Sequence, residues 1–484
     1  MGALAAVVDK RGRNVASLAI AMLDALSHRG SDAYGLASSH EAAIASSTSE
    51  LRKADVNANG LVGYNLAKIL PHDEAQPLQE GDSALAFDGR IFPAPAEGKI
   101  QYARQKLKDN SNNAKQLIRS AEGGYAFALA KKNKIVVGRD ALGTCPLYFG
   151  ENETLCAIAS ERKALWTIGL LVTDSFSPGT VAVVDETGFQ FRPAKALAEP
   201  PIQEFAMNAA AEQLEQKICQ SVKKRVTDVE EVAVAFSGGI DSSLVAFLAN
   251  RSAVNTHLIY VALSHQQEET AFAEKAAAAL GLDFHPITFS LEDLQKDLPT
   301  VLWLIEDPNP VNVSIAIPIY WAAEQSARRG LRVMLSGQGG DELFGGYHRY
   351  LADYSQRGRD GLQETLYQDV VSSYKTNFER DDKACAFHKV ELRMPLVDWN
   401  VVQLALRIPP RLKIQSPHDL LRKRVLRQTA KRLGVPKLIS EKPKRAIQYS
   451  TGVNHGLRTL AKTEGLTLRK YIEDIFLKTF KMLN

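Results

Sequence analysis

The sequence predicts a two-part α/β protein. An antiparallel, layered domain spans residues 1–195, and a doubly wound parallel-sheet domain with a helical C-terminal part spans 205–484. Three observations lead there. Before residue 190 lie short alternating strand candidates with turn signals between them: IVVG, PLYFG, CAIAS, TVAVVD and FQFR. The Pro pair in ALAEPPIQEF then marks a boundary near 190–205 and opens a helical pattern that runs to about Arg225. Beyond it the β-branched runs VAVAF, LIYVAL and RVMLS alternate with alanine-rich helical stretches, Thr270 to Leu280 and Pro318 to Arg329 among them. From about Asp360 the pattern is mainly helical, and the polar run Asp109 to Asn113 reads as a surface loop.

The chemistry concentrates at the ends of two strands. Val232 to Phe236 feeds SGGIDSS (Ser237 to Ser243), and an apolar helix leaves it. In that setting backbone N–H groups and a helix N-terminus converge on a phosphate. Gly238 and Gly239 allow close backbone approach, and Ser237, Ser242 and Ser243 supply hydroxyls. Asp241 is out of place among phosphate ligands unless a cation joins it to the phosphate, and Mg²⁺ prefers carboxylate and phosphate oxygens. The loop has neither the Lys nor the spacing of a Walker A motif. A second strand-like run, Leu331 to Leu335, ends in SGQGGDELFGGY, with Asp341 and Glu342 beside the glycines. Two strands ending in glycine loops, each with a carboxylate, suit a nucleotide at the C-terminal edge of a parallel sheet, with Asp241 and Asp341 as the metal ligands.

SGGIDSS resembles the PP-loop of ATP pyrophosphatases. With LSGQGGDELFGGY, VELRMPLVD (Val390 to Asp398), the K-x-x-L-R pattern at Lys423 to Arg427 and SEKPKRAIQYSTG (Ser440 to Gly452), the order resembles the glutamine-hydrolysing asparagine synthetase family. HRGSDAYG (His28 to Gly35), AQPL (Ala75 to Leu78), GRDALGTCPLYFG (Gly138 to Gly150) and ASERKALW (Ala159 to Trp166) resemble that family's class II glutamine amidotransferase domain. The resemblance implies an αββα sandwich of the N-terminal-nucleophile type, followed by a PP-loop synthetase domain. It also implies ATP contacts at Ala235, Val261, Ser336 and Gly337. Lys444 takes the place of the lysine that neutralises charge on pyrophosphate and on the tetrahedral intermediate.

The sequence departs from the family in both halves. M-G-A-L-A-A-V-V-D matches M-C-G-I-A-G-I-I-D without gaps, so Gly2 stands where the nucleophilic cysteine belongs. The N-G-E segment that stabilises the oxyanion and holds the glutamine amino group reads Asp88-Gly89-Arg90, and of the glutamine site Arg29 remains, read here as a structural salt bridge. A retired glutaminase follows. In the synthetase half, Gln338 stands where one branch has a glutamate implicated in acyl-adenylate formation; Gln positions but cannot act as a base at neutral pH. Glu391 and Glu342 are the carboxylates that could stand in, with an ion pair to Arg393 the other role for Glu391. Ser314 falls where that branch has an arginine that reads the aspartate carboxylate.

Composition agrees with a folded, water-soluble chain. The 484 residues are 45% hydrophobic and 24% charged with a net charge of +4, which does not call for nucleic acid. Four cysteines without a C-x-x-C pair fit a reducing cytoplasm. No apolar run is long enough to span a bilayer, and Ala6 breaks the myristoylation pattern begun by Met1-Gly2. The expectation is an ATP- and Mg²⁺-dependent amide ligase acting on a small carboxylate, aspartate first, with ammonia as the amine. A β-lactam-synthetase-like use of a substrate amine and a non-catalytic nucleotide-binding role stay open, as does a homodimer.

Overall fold

The computed structural model describes residues 2–107 and 111–481. They form two compact units, Met1–Leu197 and Ala198–Asn484.

In the first unit two antiparallel sheets, of seven and six strands, lie face to face. The strand Gly2–Asp9 shows how the layers arise. Its odd residues Ala3, Ala5 and Val7 pack on the helix Ala16–Ala25 through Ile20 and Leu23. Its even residues Leu4, Ala6 and Val8 pack on Ala84, Ala86, Ala126 and Ala128 of the second sheet. That sheet's other face, with Leu85, Phe87 and Phe127, packs on the helices Lys99–Lys106 and Ser111–Ser120 through Ile100, Ala103 and Leu117. The result is the αββα sandwich. All five strands expected from the alternating runs are present, within one or two residues. The loop expected at Asp109 to Asn113 is different: positions 109 and 110 lie outside the described residues, and Ser111 opens a helix. Asn112 is exposed and Asn113 half-buried on an amphipathic helix whose Ala114, Leu117 and Ile118 are buried.

In the second unit five parallel strands form one sheet: β1 (Glu231–Ala235), β2 (Asn255–Leu263), β3 (Asp283–Phe289), β4 (Val333–Leu335) and β5 (Glu391–Arg393). Their order is β3-β2-β1-β4-β5. The chain moves outward from β1 to β3, then returns to lie on the other side of β1. This reversal leaves a crevice between β1 and β4 at their C-terminal ends, where open α/β sheets bind ligands. The helix Met207–Lys224 matches the helical pattern to Arg225, and Gln267–Leu280 matches the stretch ending at Leu280.

The helix expected to open at Pro318 instead runs from Pro310 to Arg328. Asn309 caps it by accepting from the Val311 N–H, so Pro310 supplies the start signal. Pro318 sits mid-helix within the buried face formed by Ala316, Ile317 and Trp321, where packing overrides its lost hydrogen bond. Strands β3 and β5 do not stand out in the sequence. β3 carries Pro286, which an edge strand tolerates, and β5 is only three residues long.

The β1 and β4 loops approach each other through Gly337. A Cβ there would come within 2.7 Å of the Asp241 Cβ and 2.8 Å of the Ser242 amide nitrogen. Gly337→Ala should therefore force the loops apart and lower stability by about 1–3 kcal/mol. In urea the midpoint should fall with an unchanged slope; an unaltered midpoint would mean that the loops do not meet as described.

Candidate active site

A cavity of about 670 Å³ opens at the crevice. On one side β1 ends at Ala235, and Gly238 turns the chain with φ +67°, a left-handed conformation that glycine accepts without strain. Helix Ile240–Arg251 then starts with its N-terminus at the crevice. The Ser242 hydroxyl lies 3.2 Å from the Ser237 backbone nitrogen and 3.2 Å from the Ser237 hydroxyl, fixing the loop. On the other side β4 ends at Leu335, and the short helix Gly340–Phe344 carries Asp341 and Glu342.

Of the residues singled out in the sequence, Ala235, Ser237, Asp241, Ser242, Val261, Ser336, Gly337, Gln338, Asp341 and Lys444 line the cavity. Gly238 and Gly239 shape the turn without lining it. Ser243 faces inward, fully buried. Glu391 is a correction: it is buried on β5, bonded 2.7 Å from Arg393 Nε, and does not line the cavity. Arg393 in turn grips Asp228, so both charges are spent on holding β5 to the segment before β1. Ser314 is likewise internal, its hydroxyl donating to the Val311 carbonyl within its own helix.

Two lysines bind the paired carboxylates. Lys423 Nζ lies 2.5 Å from Asp241 Oδ2 and 2.7 Å from Asp341 Oδ1, and Lys444 Nζ lies 2.8 Å from Asp341 Oδ2. Burial works against the charge on Asp341, but Lys423 and then Lys444 hold its carboxyl well below the usual range. Burial works against the Lys444 ammonium as well, and Asp341 and Asp241 keep it above its ordinary value.

Lys423 was visible only as the first letter of K-x-x-L-R, and the fold explains that pattern. Arg422 and Lys423 both have φ +50°, a strained conformation for side-chain-bearing residues. Arg427 clamps this turn by donating to the carbonyls of Leu421, Arg422 and Ser440, while Leu426 is buried in the core. Arg422 donates to the Lys444 carbonyl, tying the two lysine-bearing segments together.

The acidic oxygens suit a hard cation. Asp241 and Asp341 both face the cavity, and Asp241 Oδ1 is buried without a hydrogen-bond partner among the described residues. Carboxylate oxygens from two loops beside a phosphate-sized turn fit Mg²⁺.

Further along the cavity, Gln338 donates its side-chain NH₂ to Asp381. Glu342 accepts at Oε1 from the Tyr347 hydroxyl (2.5 Å) and from Asn377 (2.8 Å), while its Oε2 has no partner among the described residues. Burial, then the Asp341 charge, push the Glu342 carboxyl up. Of the two carboxylates that could stand in for a base, only Glu342 is at the cavity. Arg445 also lines it, paired with Glu269 at 2.6 Å, whereas Lys442 lies outside, bonded to Glu269 and stacked over Phe272.

In the first unit the space beside Gly2 is closed. A Cβ on Gly2 would fall 2.1 Å from the Asn65 carbonyl oxygen and 2.6 Å from the Tyr64 hydroxyl. Asp88 is buried and accepts from Tyr64 at 3.3 Å. Arg90 forms a two-pronged pair with the buried Asp73, at 2.5 and 2.6 Å, so its charge is compensated within the fold. Arg29 pairs with the fully buried Glu161 at 3.1 Å and donates to the Gly2 carbonyl, with His28 and Lys163 on the same carboxylate.

The charge cluster makes a signed prediction. The folded Asp341 carboxyl lies below its ordinary 3.8, so its stabilising contribution is complete above about pH 5 and is lost as pH falls below about 4. The Lys444 contribution is complete below its ordinary 10.5 and is lost as pH rises beyond it. Lys423→Met leaves two buried carboxylates facing each other; it should cost about 3–5 kcal/mol at neutral pH and move the acid limb of the stability profile upward. Urea unfolding at several pH values reads this directly, and an unshifted acid limb would contradict the cluster.

The Asparagine synthase family model matches residues 213–359 and 353–479, and the Glutamine amidotransferase domain model matches 1–179. A Methanocaldococcus jannaschii protein named as a candidate asparagine synthetase (glutamine-hydrolysing) 1 is 28% identical, over 98% of this chain and 98% of its own. Asparagine synthetase B (glutamine-hydrolysing) of Escherichia coli is 24% identical over 88% of this chain and 78% of its own. Asparagine synthetase (glutamine-hydrolysing) of Triphysaria versicolor is 26% identical over 82% and 71%. With both halves matched in order along nearly its whole length, the chain belongs to the asparagine synthase family of carbon–nitrogen ligases.

Proposed function

We propose that this ligase activates a small carboxylate, aspartate in the first instance, as an acyl-adenylate, and transfers it to ammonia rather than to nitrogen drawn from glutamine. The observation that carries the reading is the meeting of Asp241 and Asp341, bound by Lys423 and Lys444, at the crevice between two glycine loops. The helix N-terminus at Ile240 and the Ser237 and Ser242 hydroxyls would hold phosphate oxygens. Mg²⁺, held by Asp241 and Asp341, would supply compensation for pyrophosphate charge. Lys444 reaches the same cluster and would meet the charge that grows as the α-phosphorus is attacked and pyrophosphate leaves.

In the second step the amine forms its bond to the acyl carbon, the bond to AMP breaks, and the amine proton needs an acceptor. Glu342, with one free carboxylate oxygen and a raised pKa, is suited to take it. Gln338, its amide committed to Asp381, is suited to positioning the carboxylate substrate.

Three features of the first unit support ammonia as the nitrogen source. Gly2 offers no nucleophile, and the space that a cysteine side chain needs is filled by the backbone of Asn65. Asp88 puts a carboxylate where an oxyanion would develop.

Three outcomes test the reading. ATP–pyrophosphate exchange should require the carboxylate substrate, and Lys444→Ala should lower kcat by on the order of 100-fold with a smaller change in KM for ATP. Lys442→Ala, altering a lysine outside the cavity, should stay near full rate, and equal loss in both would make the stretch a generic basic surface. Glu342→Gln should keep the exchange but slow amide formation by about 100-fold or more. Finally, ammonium should support amide formation while glutamine yields no glutamate, in the native chain and in Gly2→Cys alike; glutamate release would overturn the nitrogen assignment.

A further inference from the structure

At the opposite, N-terminal end of the parallel strands, β2 and the edge strand β3 bring three ligand-type side chains together. His257 is the third residue of β2; Asp283 and His285 are the first and third of β3. The register pairs His257 with Asp283 and Ile259 with His285, so the three side chains share one face of the sheet. On that face the next layer is Ile259 with Ile287, already part of the hydrophobic core. The three polar groups therefore close the end of the core, with the rings of His257 and His285 stacked at 27° and 5.5 Å.

Their atoms form an equilateral triangle. His257 Nδ1 to His285 Nε2, His257 Nδ1 to Asp283 Oδ2, and His285 Nε2 to Asp283 Oδ2 are each 3.3 Å. Two ring nitrogens and a carboxylate oxygen turned toward one another leave three edges to satisfy, and one proton satisfies a single edge. A cation above the centre satisfies all three.

The side length also selects the geometry. Ligands about 2.0–2.1 Å from a tetrahedral ion stand about 3.3–3.4 Å apart, whereas cis ligands of an octahedral ion at the same distance stand about 2.9 Å apart. Two imidazoles and one carboxylate favour a zinc-class ion over Mg²⁺ or Ca²⁺. A carboxylate also faces the far side of one ring: Glu231 Oε2 lies 3.7 Å from His257 Nε2, which is buried and has no hydrogen-bond partner among the described residues. A metal on Nδ1 requires the proton on Nε2, and a small movement of Glu231 would receive it, the carboxylate–histidine–metal arrangement.

We propose that His257, Asp283 and His285 form a site for one zinc-class divalent cation, separate from the nucleotide cavity, with a fourth position open to water and with Glu231 orienting His257. Such an ion would tie the edge strand β3 to β2. The two histidines lie 28 residues apart, so only strand pairing brings them together.

Co²⁺ titration of the full-length, metal-stripped protein is the test, because tetrahedral Co²⁺ absorbs far more strongly in the visible than octahedral Co²⁺. One equivalent should produce intense bands that Zn²⁺ abolishes by competition, and Zn²⁺ should raise the Tm. His285→Gln should weaken binding by about 100-fold or more, and Glu231→Gln by about 10-fold, as the loss of an outer partner does. Asp283→Asn, at a side chain 63% exposed, repeats the ligand test where folding is not at risk. Asp241→Asn should leave the bands unchanged, since it alters only the nucleotide site. Weak octahedral-type absorption, or bands that survive in both His285→Gln and Asp283→Asn, would overturn the proposal.

Discussion

Two carboxylates from different loops, Asp241 and Asp341, are brought into one cluster, and the synthetase unit is organised around that constraint. Left alone, two buried negative charges at this separation would drive the loops apart or take up a proton. Lys423 stands between them and Lys444 flanks Asp341, giving an alternating chain of charges. Features elsewhere follow from the need to hold those lysines. Arg427 braces a turn in which two consecutive side-chain-bearing residues adopt left-handed conformations, and Arg422 fastens that turn to the Lys444 segment. Gly337 and Gly340 both leave room for Asp241, which a Cβ at either position would meet. The strain at the turn and the cost of burying the lysines are offset only while both carboxylates are present.

The amidotransferase unit shows the reverse relation, a fold held by packing that depends on no particular site residue. The sandwich is held by alternation on both faces of its strands, by small residues between the sheets and larger ones under the helices. None of that packing requires a nucleophile. Charged residues of this unit have internal partners: Arg90 with Asp73, and Arg29, His28 and Lys163 with Glu161. In the fold the Arg90 guanidinium is paired with Asp73, and the space beside Gly2 is closed by Asn65 and Tyr64.

Much of this was legible from the residues alone. The strand–glycine–helix punctuation of SGGIDSS and LSGQGGDEL identified two glycine loops at strand ends and their carboxylates, because local backbone chemistry suffices to specify such turns. Five strands of the first unit were legible as short β-branched or apolar runs with turn signals between them. Strands buried on both faces, such as Gly2–Asp9 with its run of Ala and Val, carry no period of two and were hidden. Pro318 misled as a helix start, since burial of its helix outweighs a local breaker signal.

By itself, the sequence determined the two-part α/β architecture, the two glycine loops with their carboxylates, and a glycine at position 2. Those properties reside in single residues or short segments, where propensity and side-chain chemistry act without distant partners. Only the tertiary structure decided that Lys423 bridges Asp241 and Asp341, that Glu342 and not Glu391 faces the cavity, and that His257, Asp283 and His285 converge. Each of these depends on residues between about 30 and 180 positions apart meeting through strand order and helix packing. No local pattern encodes those distances.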